Sequence, residues 1–450
     1  MTGRYKEYSE YKNSNIGCIG KIPIHWIIQS LSMASKKISV GLATSVTSYY
    51  RDIGTPIIRN LNIKEGYFDG SNMLYLDETF AQQQISKAVK ADDIIAVHTG
   101  SNLGLACIVP PEFDNCHTFT TLILTTGDKL LNRYFTYCMN SPYGKAEVNR
   151  LKFGFGKDNL NVKEFKSFYT LLPTLEEQQK IANFLDHETV KIDTLIAKQE
   201  KLIELLKEKR QAVISHAVTR GLNPNAPMKD SGVEWLGEVP EHWVVTPIKH
   251  LAELTPKKSQ IQDKKELKCS FVPMDKLKQD SLVLDESKPI SEVYDGYTYF
   301  ENEDVLLAKV TPCFENKNMV VARNLINGIG FGSSEIYVLR SNKNILNDFL
   351  YYRLQEDAFM DIATAAMTGA GGLKRVPADV ITNFSIALPT ESEQLEIIGF
   401  LKERLKQLDL LSSKAKSAIL LMKERKTALI SAAVTGKIDV RNYNTEKAGI

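Results

Sequence analysis

Cysteine is scarce in this chain, with six among 450 residues. Cys18, Cys107, Cys116, Cys138, Cys269 and Cys313 never adopt CxxC spacing, which argues against a zinc ribbon, a dithiol centre or a disulfide framework. Such usage fits buried or idle thiols in a reducing cytoplasm. An excess of charge is missing as well: 56 Lys and Arg face 54 Asp and Glu, for a net charge of +2. Residues 27–172 hold 15 basic and 13 acidic side chains, and residues 244–388 hold 17 and 19. Bulk composition therefore offers no strongly basic footprint, and any nucleic-acid surface must be clustered in space or completed by partners. No apolar run reaches membrane-spanning length, and Met1 to Lys6 carries no signal-peptide core, so neither is expected.

Reactive constellations are lacking too. There is no P-loop for nucleotide hydrolysis. The Gly-rich stretch from Gly369 to Gly372 is not set in a βαβ unit with a downstream ribose-binding acid. Cys116-His117 has no partners for a zinc site or a thiol nucleophile. His187 and His216 lie on helical segments where the other half of the chain has Glu403 and Ala432. No catalytic residue and no metal site are assigned.

A duplication is present instead. The run PTLEEQQKIANFL at 173–185 returns as PTESEQLEIIGFL at 389–401, an offset of 216 (389 minus 173). KEKR at 207–210 falls on KERK at 423–426, and ISHAVT at 214–219 on ISAAVT at 430–435. Upstream, IGKIPIHW at 19–26 matches LGEVPEHW at 236–243, an offset of 217 (236 minus 19). Two copies of one unit suggest two equivalent surfaces presented to one partner. The paired His25-Trp26 and His242-Trp243 follow a proline, and the indoles read as packing anchors.

The repeated segments are helical. Thr174 with Glu177, and Thr390 with Glu393, have the form of a capping box, and acidic residues fill the first turn. Apolar residues then recur at three- and four-residue spacing: Leu185, Ile192, Leu195, Leu202, Leu206 and Val213 in the first copy. The second gives Leu401, Leu408, Leu411, Ala415, Ala418, Met422 and Leu429. Gly221 and Gly436 mark the stops. A helix of about 42 residues is ~60 Å long. Its apolar stripe would be exposed if it stood alone, so the two helices are expected to pack antiparallel on each other. Two hairpins packed separately on their own domains are the alternative.

Residues 27–172 and 244–388 read as mixed α/β. Strand-like runs lie at 56–60, 93–97 and 120–124, and at 270–274, 304–308 and 336–340; a short helix follows at Leu131 and at Leu346. Two loops recur between the units. One follows the Asp93-Ile94-Ile95 strand as His98 to Asn102, against Lys309 to Pro312; the other precedes the long helix as Lys152 to Asn159, against Thr368 to Arg375. Their glycines allow close backbone approach, and their Lys, Arg and Asn side chains suit phosphates and base edges. Ordinary tight turns with solvated charges are the other reading of these loops.

Together these features resemble the specificity subunit of type I restriction–modification systems. Two variable units are each followed by a long helix opening Pro-Thr-x-x-Glu-Gln-Gln-x-Ile-Ala-x-Phe-Leu and closing Lys-x-x-Ala-Val-Ile-Ser-x-Ala-Val-Thr. SGVEWLGEVPEHW at 231–243 leads into the second unit. The likeness spans about residues 12–440. It departs at Ser392 and Leu395 in the second helix, and at Asn15, Gly17 and Cys18 in the first lead-in. The resemblance implies a mixed α+β fold: two α/β target recognition domains (12–172 and 227–388) and two long antiparallel coiled-coil helices (173–222 and 389–440), with internal pseudo-twofold symmetry. Each domain would read half of a bipartite double-stranded DNA target, and the helices would fix the gap, at most roughly 18 base pairs. The helices would also dock two modification subunits that bring S-adenosylmethionine and methylate adenine. Restriction subunits using ATP and Mg could join, and the setting would be the prokaryotic cytoplasm, with no cofactor held by this chain.

On that basis Arg59, Asn60, His98, Thr99, Ser101, Lys152 and Lys157 are expected to contact DNA in the first unit. In the second, Lys309, Thr311, Thr368, Lys374 and Arg375 are expected to do so. Subunit docking falls to Gln178, Gln179, Phe184, Lys207 and Arg210, with Gln394, Phe400, Lys423 and Arg425. The competing class is a scaffold whose α/β units bind proteins and not DNA.

Overall fold

The computed structural model describes residues 5–154, 158–370 and 372–443. Packing divides the chain into two compact units, Met1–Gln199 with Ser417–Ile450 and Glu200–Lys416. Each unit therefore takes the start of one long helix and the end of the other. The division falls inside the helices, because both ends of each helix are buried against globular structure.

The first unit is built on an antiparallel sheet in the order Ser35–Val40, Thr121–Thr126, Ile94–Val97, Ala106–Ile108. Ile94–Val97 is buried along its whole length, as its unbroken apolar run requires of a central strand covered on both faces. A second sheet pairs Thr55–Ile58 with Leu74–Leu76 antiparallel and with His117–Thr118 parallel. The strand expected at 56–60 stops at Ile58; Asn60–Asn62 forms a 3-10 turn, whose Asn62 side chain accepts from the Arg59 amide. Ile27–Ser30 pairs with Tyr169–Leu172, so the segment entering the unit is zipped to the one leaving it.

The second unit repeats this plan. Its main sheet runs Ala252–Leu254, Ile336–Ser341, Val305–Ala308, Met319–Val321, and Val244–Pro247 pairs with Ser385–Leu388. In the other sheet Lys268–Val272 keeps one antiparallel neighbour, Ser287–Pro289, and one parallel neighbour, Ile329–Gly332. The edges differ: the first unit adds Tyr50–Arg51 and the second adds Thr298–Glu301.

The long helices run Leu175–Arg220 and Glu391–Val434, 46 and 44 residues. At ~1.5 Å per residue they are slightly longer than expected. Gly221 (φ +74°) and Gly436 (φ +71°) end them in the left-handed conformation. At the second stop Lys437 N–H bonds Ala432 O at 2.8 Å and Gly436 N–H bonds Ala433 O at 3.3 Å, a Schellman motif. Beside each stop lies a lead-in tryptophan: a Cβ on Gly221 would sit 3.2 Å from Trp243, and one on Gly436 would sit 3.3 Å from Trp26 and 2.3 Å from Pro23. Trp26 and Trp243 are buried, and each indole donates to the acidic residue at the start of its unit's helix, Glu177 and Glu393. They are anchors.

The expected capping boxes form unequally. Thr390 and Glu393 satisfy each other reciprocally. In the first copy Glu177 N–H reaches Thr174 Oγ1 at 3.3 Å, but the Glu177 carboxylate instead takes Tyr8, His25 and Trp26. The apolar seam also departs from expectation. Leu195, Leu202 and Leu411 are exposed, whereas Ile181, Ile196, Ile397 and Leu405 are buried. A strict heptad drifts ~20° per repeat around a straight helix, so one heptad stripe cannot stay buried over this length.

Candidate nucleic-acid interface

In each unit the loop after the central strand is fastened to the segment that precedes the last short helix. In the first unit Thr99 Oγ1 donates to Asn159 Oδ1 at 2.9 Å, while Phe153 and Asn159 exchange backbone bonds of 3.0 and 2.9 Å. His98 Nδ1 lies 2.8 Å from Thr99 Oγ1, and burial holds the His98 imidazole below its ordinary pKa. Lys152 pairs with Asp158 across the mouth of this hairpin at 2.9 Å. Lys157 lies outside the described residues.

In the second unit Thr368–Ala370 and Leu373–Arg375 form an exposed two-stranded hairpin. Thr311 binds it three ways: its N–H to Lys374 O, its hydroxyl to Gly372 O, and its Oγ1 from Lys374 N–H, at 2.9–3.0 Å. Arg375 forks onto Glu335 at 2.8 and 2.9 Å, and this guanidinium holds the Glu335 carboxyl below its usual range. Lys309 Nζ stands 5.2 Å from the Tyr337 ring centroid. Lys374 is exposed and forms no ion pair among the described residues. All five residues singled out in this unit thus gather around one hairpin.

The first unit's selection is less coherent. His98, Thr99 and Lys152 come together, and Ser101 lines the adjoining cleft. Arg59 and Asn60 belong to the other sheet's end, where the Arg59 guanidinium is fixed on Asn72 O, a structural duty. Sequence reading missed the rest of the cleft, about 720 Å³, to which Lys64, Tyr67, Lys145 and Asn149 contribute. A signal existed: Lys145, Asn149 and Lys152 stand at i, i+4 and i+7, on and just past the helix Pro142–Leu151, and all three are exposed. The cleft's lysines are matched by acids, Lys64 with Asp69 at 3.6 Å, Lys145 with Glu65 at 3.5 Å and Lys152 with Asp158. Exposed pairs of this kind are weak.

The residues expected to dock subunits divide by burial. Gln178 is fully buried; its amide donates to Lys129 O and Pro173 O, and its Oε1 accepts from Leu131 N–H. Gln394 repeats this with Asn344 O, Pro389 O and Leu346 N–H. These glutamines fasten the long helix to the N-terminus of a neighbouring short helix and present no surface. Phe184 is likewise buried, under Tyr5 and Tyr443. Arg210 is half-buried and pairs with Asp280 and Asp409. Gln179 is half-buried, and Lys207, Phe400, Lys423 and Arg425 are exposed. Unforeseen exposed leucines lie along the helices, including Leu410, Leu420 and Leu421. Among the described residues no group of three or more His, Cys, Asp or Glu is placed to hold a metal ion, and no helix is long and apolar enough to cross a membrane.

A family profile described as the type I restriction modification DNA specificity domain matches residues 47–205 and again 240–420. The chain is 35% identical over 184 residues to the specificity subunit of the type I restriction enzyme EcoEI of Escherichia coli, and 37% over 164 residues to that of EcoAI. Those matches cover 39% and 36% of this chain but only 31% and 28% of the relatives. A putative MjaX specificity subunit of Methanocaldococcus jannaschii is 25% identical across 97% of this chain and 98% of its own. Among solved structures, a chain from a study of type I R-M complex assembly aligns with a TM-score of 0.69 at 14% identity, covering 92% of this chain and 98% of that one. The HsdS subunit from Thermoanaerobacter tengcongensis aligns at 0.54 and 14%, covering 93% and 98%. At such identity these two speak to the fold alone.

Proposed function

Because this chain belongs to the type I restriction–modification DNA specificity family, we propose that it is a non-catalytic subunit that selects a bipartite DNA target for partner methyltransferases. The observation that carries this reading is the recurrence of one arrangement with two chemistries. Each unit presents a hairpin fastened to the loop after its central strand. One is flanked by His98, Thr99 and Lys152, the other by Lys309, Thr311, Lys374 and Arg375. Equal scaffolds with unequal side chains suit two different half-sites. Basic groups position the phosphates and the hydroxyl, amide and guanidinium groups read base edges.

Within this reading the long helices form an antiparallel coiled coil related by a pseudo-twofold axis, and they set the gap between half-sites. Two ion pairs support it. Asp193 pairs with Lys426 in the first unit, and Asp409 with Arg210 in the second. Asp193 and Asp409, like Arg210 and Lys426, are repeat mates at the 216-residue offset. The exposed leucines, with Gln179, Lys207, Phe400, Lys423 and Arg425, supply the docking face for two methyltransferase subunits, which carry S-adenosylmethionine. The setting of this complex is the prokaryotic cytoplasm, where it can also take up restriction subunits that use ATP and Mg.

The test is single-molecule methylome sequencing of cells expressing this chain with and without its methyltransferase subunit. New N6-methyladenine at one split motif, only when both are present, is the expected result. A folded chain with an active partner and no new motif would return the function to a protein-binding scaffold.

A further inference from the structure

The repeat makes Phe184 and Phe400 equivalent, yet their surroundings differ completely. Phe184 is fully buried and Phe400 is 43% exposed. In the first unit two tyrosines from the chain's ends close over Phe184. Tyr5 and Tyr443 meet its ring edge-on at 5.3 and 4.7 Å, and both hydroxyls donate to Glu188, at 3.2 and 2.8 Å. Among the described residues the second unit has no such cover over Phe400. A groove of about 830 Å³ runs between Lys209, Ala212 and Val213 of the first helix and Phe400, Arg404 and Gln407 of the second. Its floor is almost wholly apolar.

The polar rim is altered in a consistent sense. Glu188, which accepts both tyrosine hydroxyls, is replaced at the repeat position by Arg404, which can only donate. Arg404 bonds Gln407 Oε1 at 3.0 Å, and Gln407 in turn bonds Glu403 at 2.9 Å, leaving the guanidinium fork and Lys209 without an ion pair among the described residues. An occupant of this groove therefore needs an aromatic or large aliphatic side chain to cover Phe400. It also needs a carboxylate where the first unit uses a phenol.

We propose that the open groove on the second unit receives an extended, acidic, aromatic-bearing segment of one methyltransferase subunit, in the place that the chain's own tyrosines fill on the first unit. The proposal rests on the functional reading above and adds to it an inequality. The methyltransferase docked on the second unit gains an anchor that the other lacks, and so binds more tightly.

The experiment uses the full chain and its purified methyltransferase subunit, titrated by calorimetry and native mass spectrometry. Two unequal affinities are expected. Arg404→Glu and Phe400→Ala, both exposed positions, should each weaken the tighter site roughly tenfold and leave the weaker one unchanged. Thermal melts of both variants check that the fold is intact. With p-benzoylphenylalanine in place of Phe400, photo-crosslinking should capture a methyltransferase peptide containing an aromatic residue beside Asp or Glu. Unequal sites that ignore both substitutions, or crosslinks to a second copy of this chain, overturn the groove assignment while the specificity role stands. A wild-type chain that binds no methyltransferase overturns both.

Discussion

Single side chains carry several of the contrasts in this molecule. His98 and His117 both lie in the first unit, and burial holds both imidazoles below their ordinary pKa. His117 is wholly enclosed, with Nε2 2.9 Å from Ala81 O. A base whose folded pKa is depressed is protonated more readily in the unfolded chain. Its neutral form costs nothing above the unfolded value of about 6.5, and stability falls as pH drops from there toward the folded value. Thermal unfolding should therefore show a loss of stability between pH 7.5 and 5.5. A His98→Asn/His117→Gln double variant should show a smaller loss over the same interval; an equal loss would mean that other groups govern the acid limb. The glutamines at 178 and 394 teach a different lesson at this scale. A polar residue in a repeated motif invites a role at the surface, yet both serve buried backbone groups.

At the scale of the element, the two units cap the same helix carbonyl by different means. Val434 O accepts from the Tyr134 hydroxyl at 3.4 Å, and its repeat mate Val218 O accepts from Arg353 Nη1 at 3.1 Å. Helix ends leave such carbonyls unpaired, so each needs a donor once buried. Arg353 is a costly choice. It is fully buried, lies 2.9 Å from the buried Glu356 without hydrogen-bonding geometry, and leaves Nε and Nη2 without a hydrogen-bond partner among the described residues. Burial pushes the Glu356 carboxyl up and the Arg353 guanidinium down, so desolvation outweighs their mutual attraction. Glu356→Ala should cost about 3 kcal/mol by stranding a buried cation. An Arg353→Met/Glu356→Leu pair should recover part of that loss in denaturant unfolding, since it also removes the donor to Val218 O; no recovery at all would mean that the ion pair or this cap is itself stabilising.

For the whole molecule, balanced charge is compatible with the proposed DNA binding, because only the few basic side chains at the two hairpins need meet phosphate. Lys374 has no acidic partner among the described residues, whereas Arg375 is held by Glu335. If Lys374 neutralises one phosphate, Lys374→Ala lowers the slope of log K against log salt by about 0.9. Arg375→Ala lowers it less, since DNA must first displace Glu335. Fluorescence anisotropy on target duplex at several salt concentrations measures both. Equal slopes in wild type and the Lys374 variant would remove that residue from the interface.

The duplication, the helical repeats, their glycine stops and the central strands were legible in the residues, because local spacing, capping and turn chemistry encode them within a few turns of chain. The gathering of Lys309, Thr311, Lys374 and Arg375 at one hairpin could be anticipated from the matched loops. The cleft beside Tyr67 and Asn149, the diversion of Glu177 to Tyr8 and Trp26, the burial of Phe184 and the exposure of Phe400 could not. Each depends on segments far apart in the chain meeting in space. Which of two repeated phenylalanines stays uncovered is settled by where Tyr5 and Tyr443 pack, and no local pattern around position 184 or 400 records that.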